Sequence, residues 1–260
     1  MDYISISNLS KTFEGHNGSV PALQNIELTI SCGEFVCLLG PSGCGKSTLL
    51  NAIAGFIPPS SGEIIVDGKQ VREPGPERGV VFQEYAIFPW MTVARNIAFG
   101  LEIKGASASE IQERVDVLLD TLGLREFRDR FPKELSGGMR QRVAIARLLA
   151  IDSPVMLMDE PFGALDALTR RTLQDELLRI WRESGKTILF VTHSIEESLY
   201  LANRIVVMTY RPGTIKRNQL VTMAYPRDPS GADFNELKRE LGGLVMEEQE
   251  RHTRDEMKMK

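Results

Sequence analysis

The sequence predicts an α/β fold: a parallel-sheet core with an antiparallel β subdomain at its N-terminal end and an inserted helical subdomain. Three patterns predict it. Short apolar runs at 35–39, 155–158 and 187–192 are each followed by a segment of helical period, as expected of strands covered on both faces. Before the first run, Ile4/Ile6 and Ile26/Leu28/Ile30 alternate with polar residues, the two-residue period of half-exposed antiparallel strands. From 85 to 150 the period becomes 3.6 and strand signal fades. The expected division is therefore 1–84 with 151–232 as a discontinuous core, 85–150 as the helical subdomain and 233–260 as a helical tail.

In chain order, strands at 3–9 and 24–30 flank a turn at 14–19, and Ile64-Ile65-Val66 before Asp67-Gly68 adds a strand and hairpin signal. Phe13 either stacks on a flat base or packs beneath that turn. Between the strand at 35–39 and a helix at 49–54 lies Gly40-Pro41-Ser42-Gly43-Cys44-Gly45-Lys46-Ser47-Thr48. Glycines let this loop wrap a phosphate with its backbone N–H groups, and the next helix turns its positive end to the same anion. Lys46 adds a cation for β- and γ-phosphates, and the Ser47 hydroxyl can ligate the Mg²⁺ that bridges them.

Pro74-Gly75-Pro76 breaks the chain before a short strand at 79–82 that ends at Gln83. Helices are expected at 93–99, 109–122 and 138–150, the second opened by a capping box of Ser109 and Gln112. Ile87, Phe88 and Trp90 either form a docking surface or fill the core of the helical subdomain. Helices at 168–184 and 194–201 and a strand at 204–209 complete the core, and the charged run 247–260 is expected to fray.

The strand at 155–158 ends in Asp159-Glu160. Ligands of an open parallel sheet sit beyond the carboxyl ends of its strands, so Asp159 can hold Mg²⁺ while Glu160 orients and polarises an attacking water. His193 ends the next strand and is expected to face the same γ-phosphate. Ser136-Gly137-Gly138 opens a helix with bare N–H groups, either a second anion site or simply a flexible start.

Composition narrows the partners. A chain of 260 residues with 42% hydrophobic and 25% charged content is an ordinary globular protein, and a net charge of −4 without a basic tract predicts no nucleic-acid partner. The chain lacks an apolar run of spanning length and a signal-peptide pattern at its start, so it is expected to stay in the cytosol and not to cross a membrane. Its three cysteines, Cys32, Cys37 and Cys44, are expected as buried thiols of a reducing compartment. Cys44, inside the loop, is also expected to react with thiol reagents where accessible, with the loop's own ligand protecting it.

Taken together, these motifs resemble the ATP-binding subunits of ABC transporters, and the resemblance covers nearly the whole chain. It implies a P-loop NTPase (RecA-like) fold, with Phe13 at the A-loop, Gly40 to Thr48 at Walker A and Gln83 at the Q-loop. Leu135 to Gln141 match the signature, Val155 to Asp159 Walker B, Glu160 the catalytic glutamate, Gly163-Ala164-Leu165-Asp166 the D-loop and His193 the switch histidine. It implies ATP and Mg²⁺ as cofactors, with Gln83 sensing metal and water. It also implies a head-to-tail dimer in which Ser136, Gly137, Gly138 and Asp166 reach the ATP of the other copy.

The segment 74–83 with Phe88-Pro89-Trp90 resembles the nitrate, sulfonate and taurine importer group. The implied protein is a peripheral ATPase on the cytoplasmic face of the inner membrane, docked to permease subunits and served by an extracytoplasmic solute-binding protein. An exporter ATPase is the nearest alternative in mechanism. A soluble machine of the same family is disfavoured by a single Walker A and no sustained heptad, and a module without turnover by the presence of Glu160.

Overall fold

The apolar runs become strands in which every residue is buried. The computed structural model describes residues 2–15, 18–163 and 165–258, with side chains described to residue 254. The elements begin with β1 (Asp2–Gly15), β2 (Gly18–Ser31), β3 (Phe35–Leu39), α1 (Lys46–Ala54), β4 (Ser61–Val66) and β5 (Lys69–Gln70). Next come β6 (Arg78–Val81), α2 (Val93–Ile103), α3 (Ala108–Thr121), α4 (Gly137–Ile151), β7 (Val155–Asp159) and α5 (Ala167–Ser184). The chain ends with β8 (Thr187–Thr192), α6 (Ile195–Leu201), β9 (Arg204–Met208), β10 (Ile215–Leu220) and α7 (Ala232–Lys258).

Two compact units form, Met1–Gly75 with Gly185–Lys260, and Pro76–Ser184. In the first, β1 pairs antiparallel with β2 and β4, and β4 with β5, making the expected N-terminal sheet. Gly15 lies opposite Gly18 across the hairpin, while His16 and Asn17 of the expected turn lie outside the described residues. The same unit holds β3 parallel to both β8 and β9, with β10 antiparallel at the edge. Helix α1 packs on β8, α6 on β3 and β8, and α7 on α6 and β9. Phe35, Leu38, Leu39, Ile188, Phe190 and Val191 are fully buried, and each such side chain contributes ~1.5–3 kcal/mol relative to exposure.

In the second unit β6 and β7 run parallel, and α4 packs on β6, α2 and α3. A Cβ on Gly79 would sit 2.0 Å from Leu148 Cδ1, so glycine is what lets β6 approach α4 so closely.

Four expectations need correction. The capping box of α3 is Ser107 with Glu110, not Ser109 with Gln112: Ser107 Oγ accepts the Glu110 amide and Glu110 Oε2 accepts the Ser107 amide at 2.8 Å. Both pairs have the same spacing, but Glu110 brings a full negative charge to the helix N-terminus. The terminal run does not fray after Glu247, because α7 continues to Lys258. Glu248, 2% exposed, ties it down by accepting the Tyr210 amide at 2.9 Å and Lys216 Nζ at 2.7 Å. Cys32 is exposed, unlike Cys37 and Cys44. Finally, β10 was not expected, since Ile215-Lys216-Arg217-Asn218-Gln219-Leu220 has the polar content of an edge strand.

Candidate functional site

The phosphate loop leaves β3 at Gly40 and enters α1 at Lys46. Gly43 and Gly45 have φ of 75° and 97°, a region open to glycine at no steric cost. Space matters as well: a Cβ on Gly45 would lie 2.7 Å from Leu23 Cδ2 and 2.9 Å from the Ala22 carbonyl, and one on Gly40 2.9 Å from Cys44 Sγ. Gly45 caps α1 without a side chain, and the first turn carries no acidic residue, so no carboxylate of the helix competes with an anion for its positive end. Lys46, 5% exposed, donates from Nζ to the carbonyls of Gly40 and Pro41, each at 2.8 Å, which centres its charge in the loop. Ser42, Gly43 and Ser47 are exposed, Thr48 is half-buried, and Pro41 and Cys44 are buried. A cradle of this kind fits a polyphosphate. It does not fit the reactive thiol: Cys44 is 0% exposed, and burial pushes its thiol above the ordinary value despite the Lys46 ammonium beside it. Alkylation at Cys44, with ATP protection, is therefore not expected.

Strand register brings a second residue to this edge. Leu39 lies opposite Thr192, so Gly40 and His193 leave neighbouring parallel strands at the same end. His193 is exposed. The turn behind it is fastened by a buried carboxylate, since Thr192 Oγ1 donates to Glu197 Oε2 at 2.5 Å and accepts the Ser194 amide at 3.0 Å. Sequence reasoning missed Glu197; its signal was an acid three residues after the Ser194 cap. Phe13 lies on β1, 41% exposed, with Lys11 Nζ 5.1 Å from its ring centroid.

In the second unit Val81 lies opposite Met158, so Gln83 and the Asp159-Glu160 pair also emerge at one end of neighbouring parallel strands. Asp159 is 8% exposed, and Glu160 sits at φ 45° with its carbonyl accepting the Gly163 amide at 3.1 Å. Left-handed backbone on a non-glycine residue costs of order 1–2 kcal/mol, and such strain gathers at working residues. Tyr85 and Ala86, just after exposed Gln83, share this conformation at φ 50° and 48°.

Tyr85 also links two motifs within this unit. A Cβ on Gly137 would be 3.1 Å from its hydroxyl, and Arg140 stands 5.4 Å from its ring centroid. Ser136 caps α4 through Oγ, which accepts the Met139 amide at 3.3 Å, and Gly138 faces Leu165, whose Cδ2 would lie 3.0 Å from a Cβ there. Asp166 caps α5: the Thr169 amide donates to Oδ1 at 2.9 Å, and Thr169 holds the carboxyl below its usual range. Ala164 of this loop lies outside the described residues. Of the proposed docking residues, Phe88 is half-buried, packed edge-on against Phe99 at 4.5 Å with its backbone held by Asn96. Trp90 remains 68% exposed.

Among the described residues no cluster of three or more His, Cys, Asp or Glu side chains is placed to hold a metal. The Ser47 hydroxyl in the first unit and the Asp159 carboxylate in the second are each a hard oxygen donor of the kind Mg²⁺ takes.

Comparison with known proteins agrees with these motifs. A family described as ABC transporter matches residues 23–163. The taurine import ATP-binding protein TauB of Roseobacter denitrificans is 52% identical over 225 residues, covering 86% of this chain and 84% of the relative. The nitrate import ATP-binding protein NrtD of Synechocystis sp. is 48% identical over 238 residues, covering 92% and 90%. Among solved structures, a dimeric ATP-binding cassette in a post-hydrolysis state bound to ADP and Pi matches with a TM-score of 0.78 at 33% identity, covering 85% of this chain and 100% of that one.

Proposed function

Because this chain belongs to the ABC transporter family as an ATP-binding subunit, we propose that it powers import of taurine, nitrate, a sulfonate or a related small solute by hydrolysing ATP. The observation that carries the reading is the glycine cradle centred on Lys46, joined to relatives named for import rather than export.

The loop amides and Lys46 bind the β- and γ-phosphates, and the exposed face of Phe13 stacks on the base. Ser47, Asp159 and Gln83 are the residues that would hold Mg²⁺, which would neutralise charge on the phosphates. Glu160 accepts the proton of the attacking water, and His193 contacts the γ-phosphate. Residues 85–150 act as a subdomain that presents Ser136, Gly137 and Gly138 to ATP held by a second copy, and Asp166, beyond β7, reaches the same ATP. Pairing head to tail in this way gives the chain a use for two anion sites.

The membrane partner has a matching surface. A cavity of about 300 Å³ in the Pro76–Ser184 unit is lined by Val80, Phe82, Tyr85, Phe99, Ile103 and Leu148, starting at the loop that carries Gln83. Ile103 is 72% exposed there. An apolar groove beside a nucleotide-sensing loop suits a helix of a permease, which would hold the chain as a peripheral subunit on the cytoplasmic face. Among the described residues no helix is long and apolar enough to cross a membrane itself. An extracytoplasmic solute-binding protein would deliver the cargo. Ile103→Asp is expected to release the chain from permease-containing membranes by roughly tenfold, since a buried contact is replaced by a charge, with nucleotide binding retained. Sedimentation of the variant with those membranes at the unsubstituted level would remove the groove as the docking site.

A further inference from the structure

The phosphate loop is braced by a turn that no motif above includes, Arg211-Pro212-Gly213 between β9 and β10. Arg211 Nε donates to the Gly43 carbonyl at 3.0 Å. Two positions on, Gly213 donates its amide to Ala22 at 2.9 Å and accepts the Gln24 amide at 3.0 Å. A Cβ on Gly213 would lie 2.2 Å from the Cys44 carbonyl, so the turn and the loop are in backbone contact. Thr209 fixes the turn from within, its Oγ1 meeting the Pro212 carbonyl at 3.0 Å and the Thr214 amide at 2.9 Å.

The turn is itself anchored by the C-terminal helix. Glu248 of α7 accepts the amide of Tyr210, the residue before Arg211, and is held from the other side by Lys216 of β10. The Tyr210 ring lies 4.3 Å, centroid to centroid, from His252. A nearly buried carboxylate in a charged helix thus ends a continuous path of contacts: α7 to Tyr210, Arg211 to Gly43.

We propose that Arg211 is a positioning residue of the nucleotide site and that α7 is its anchor. By occupying the Gly43 carbonyl, the guanidinium fixes the peptide planes of the loop before ATP arrives, so less ordering is needed on binding. Glu248 holds the turn that carries Arg211 and sets how firmly the loop is shaped. The inference rests on the loop being the ATP site.

The test is calorimetric titration of the full chain with Mg-ATP in a Glu160→Gln background, alongside amide hydrogen exchange without nucleotide. Arg211→Ala is expected to weaken ATP about fivefold, the scale of one partly exposed charge-assisted hydrogen bond. Exchange should quicken at Cys44 and Lys46 but not across β3 and β8, a local signature that general destabilisation would not give. Glu248→Gln should weaken ATP in the same direction, and the double variant should be no weaker than Arg211→Ala alone, since the two residues act in series. Unchanged affinity in Arg211→Ala overturns the positioning role, and additive losses in the double variant overturn the anchor. If the Glu160→Gln chain with Arg211 intact binds no ATP, the assignment of the loop fails instead.

Discussion

Glu160→Gln is expected to lower ATP hydrolysis about 10²–10⁴-fold, the usual contribution of a positioned general base. Binding should survive, because the substitution keeps shape and polarity and touches none of the loop residues that hold phosphate. The observed left-handed backbone at Glu160 should also persist, since glutamine meets the same steric limits there. With hydrolysis blocked, ATP that joins two copies is not consumed, so an ATP-dependent dimer should accumulate in gel filtration. Adding Ser136→Arg to the same chain should remove that dimer while leaving ATP bound to the monomer, because a long cation would occupy the helix start offered to the other copy's nucleotide. A Glu160→Gln chain that binds Mg-ATP yet stays monomeric would count against the head-to-tail site, and one that hydrolyses at the full rate against the base.

Lys46→Ala is expected to reduce ATP affinity by about a hundredfold, near 3 kcal/mol, the loss of one well-buried charge-assisted contact. The physical reason is burial. Nζ is held on two carbonyls of its own loop, so the positive charge is placed before the ligand arrives and is poorly screened by water. Removing it leaves the Gly40 and Pro41 carbonyls without that donor and the loop with an unbalanced negative edge. Titration with a fluorescent ATP analogue checks this, and a thermal melt of the same sample separates lost affinity from lost folding. Affinity within twofold of the unsubstituted chain would take Lys46 out of the phosphate site.

The parts of this protein that were legible in sequence are those whose physical demands are local. Gly45 sits at φ 97°, a local demand of its own loop, and Phe35–Leu39 reads as a buried strand because it is an unbroken apolar run. The ABC family and the import reading rest on motifs of this local kind, on the matching family and on relatives named for import. Part of what escaped depends on distant partners. Arg211 reaches Gly43 across 168 positions, and Glu248 is satisfied by Lys216, 32 positions earlier, which is why the end of α7 looked like a fraying charged run. Glu197 looked like an ordinary helix-starting acid until Thr192 was found on its carboxylate. At α3 the local rule was applied to Ser109 and Gln112, whereas Ser107 and Glu110, with the same spacing, form the box. Cys44 is buried as expected, packed against Gly40, so the reactivity that depended on access is not expected.

The measurement that bears most directly on the function is ATP hydrolysis by this chain assembled in lipid with its permease and solute-binding protein, as taurine, alkanesulfonates, nitrate and other small solutes are added one at a time. Stimulation by one of them, abolished by Glu160→Gln, is the predicted result and identifies the cargo. Hydrolysis that no solute changes, in a chain that associates with no permease, would contradict the assignment as an importer's ATPase.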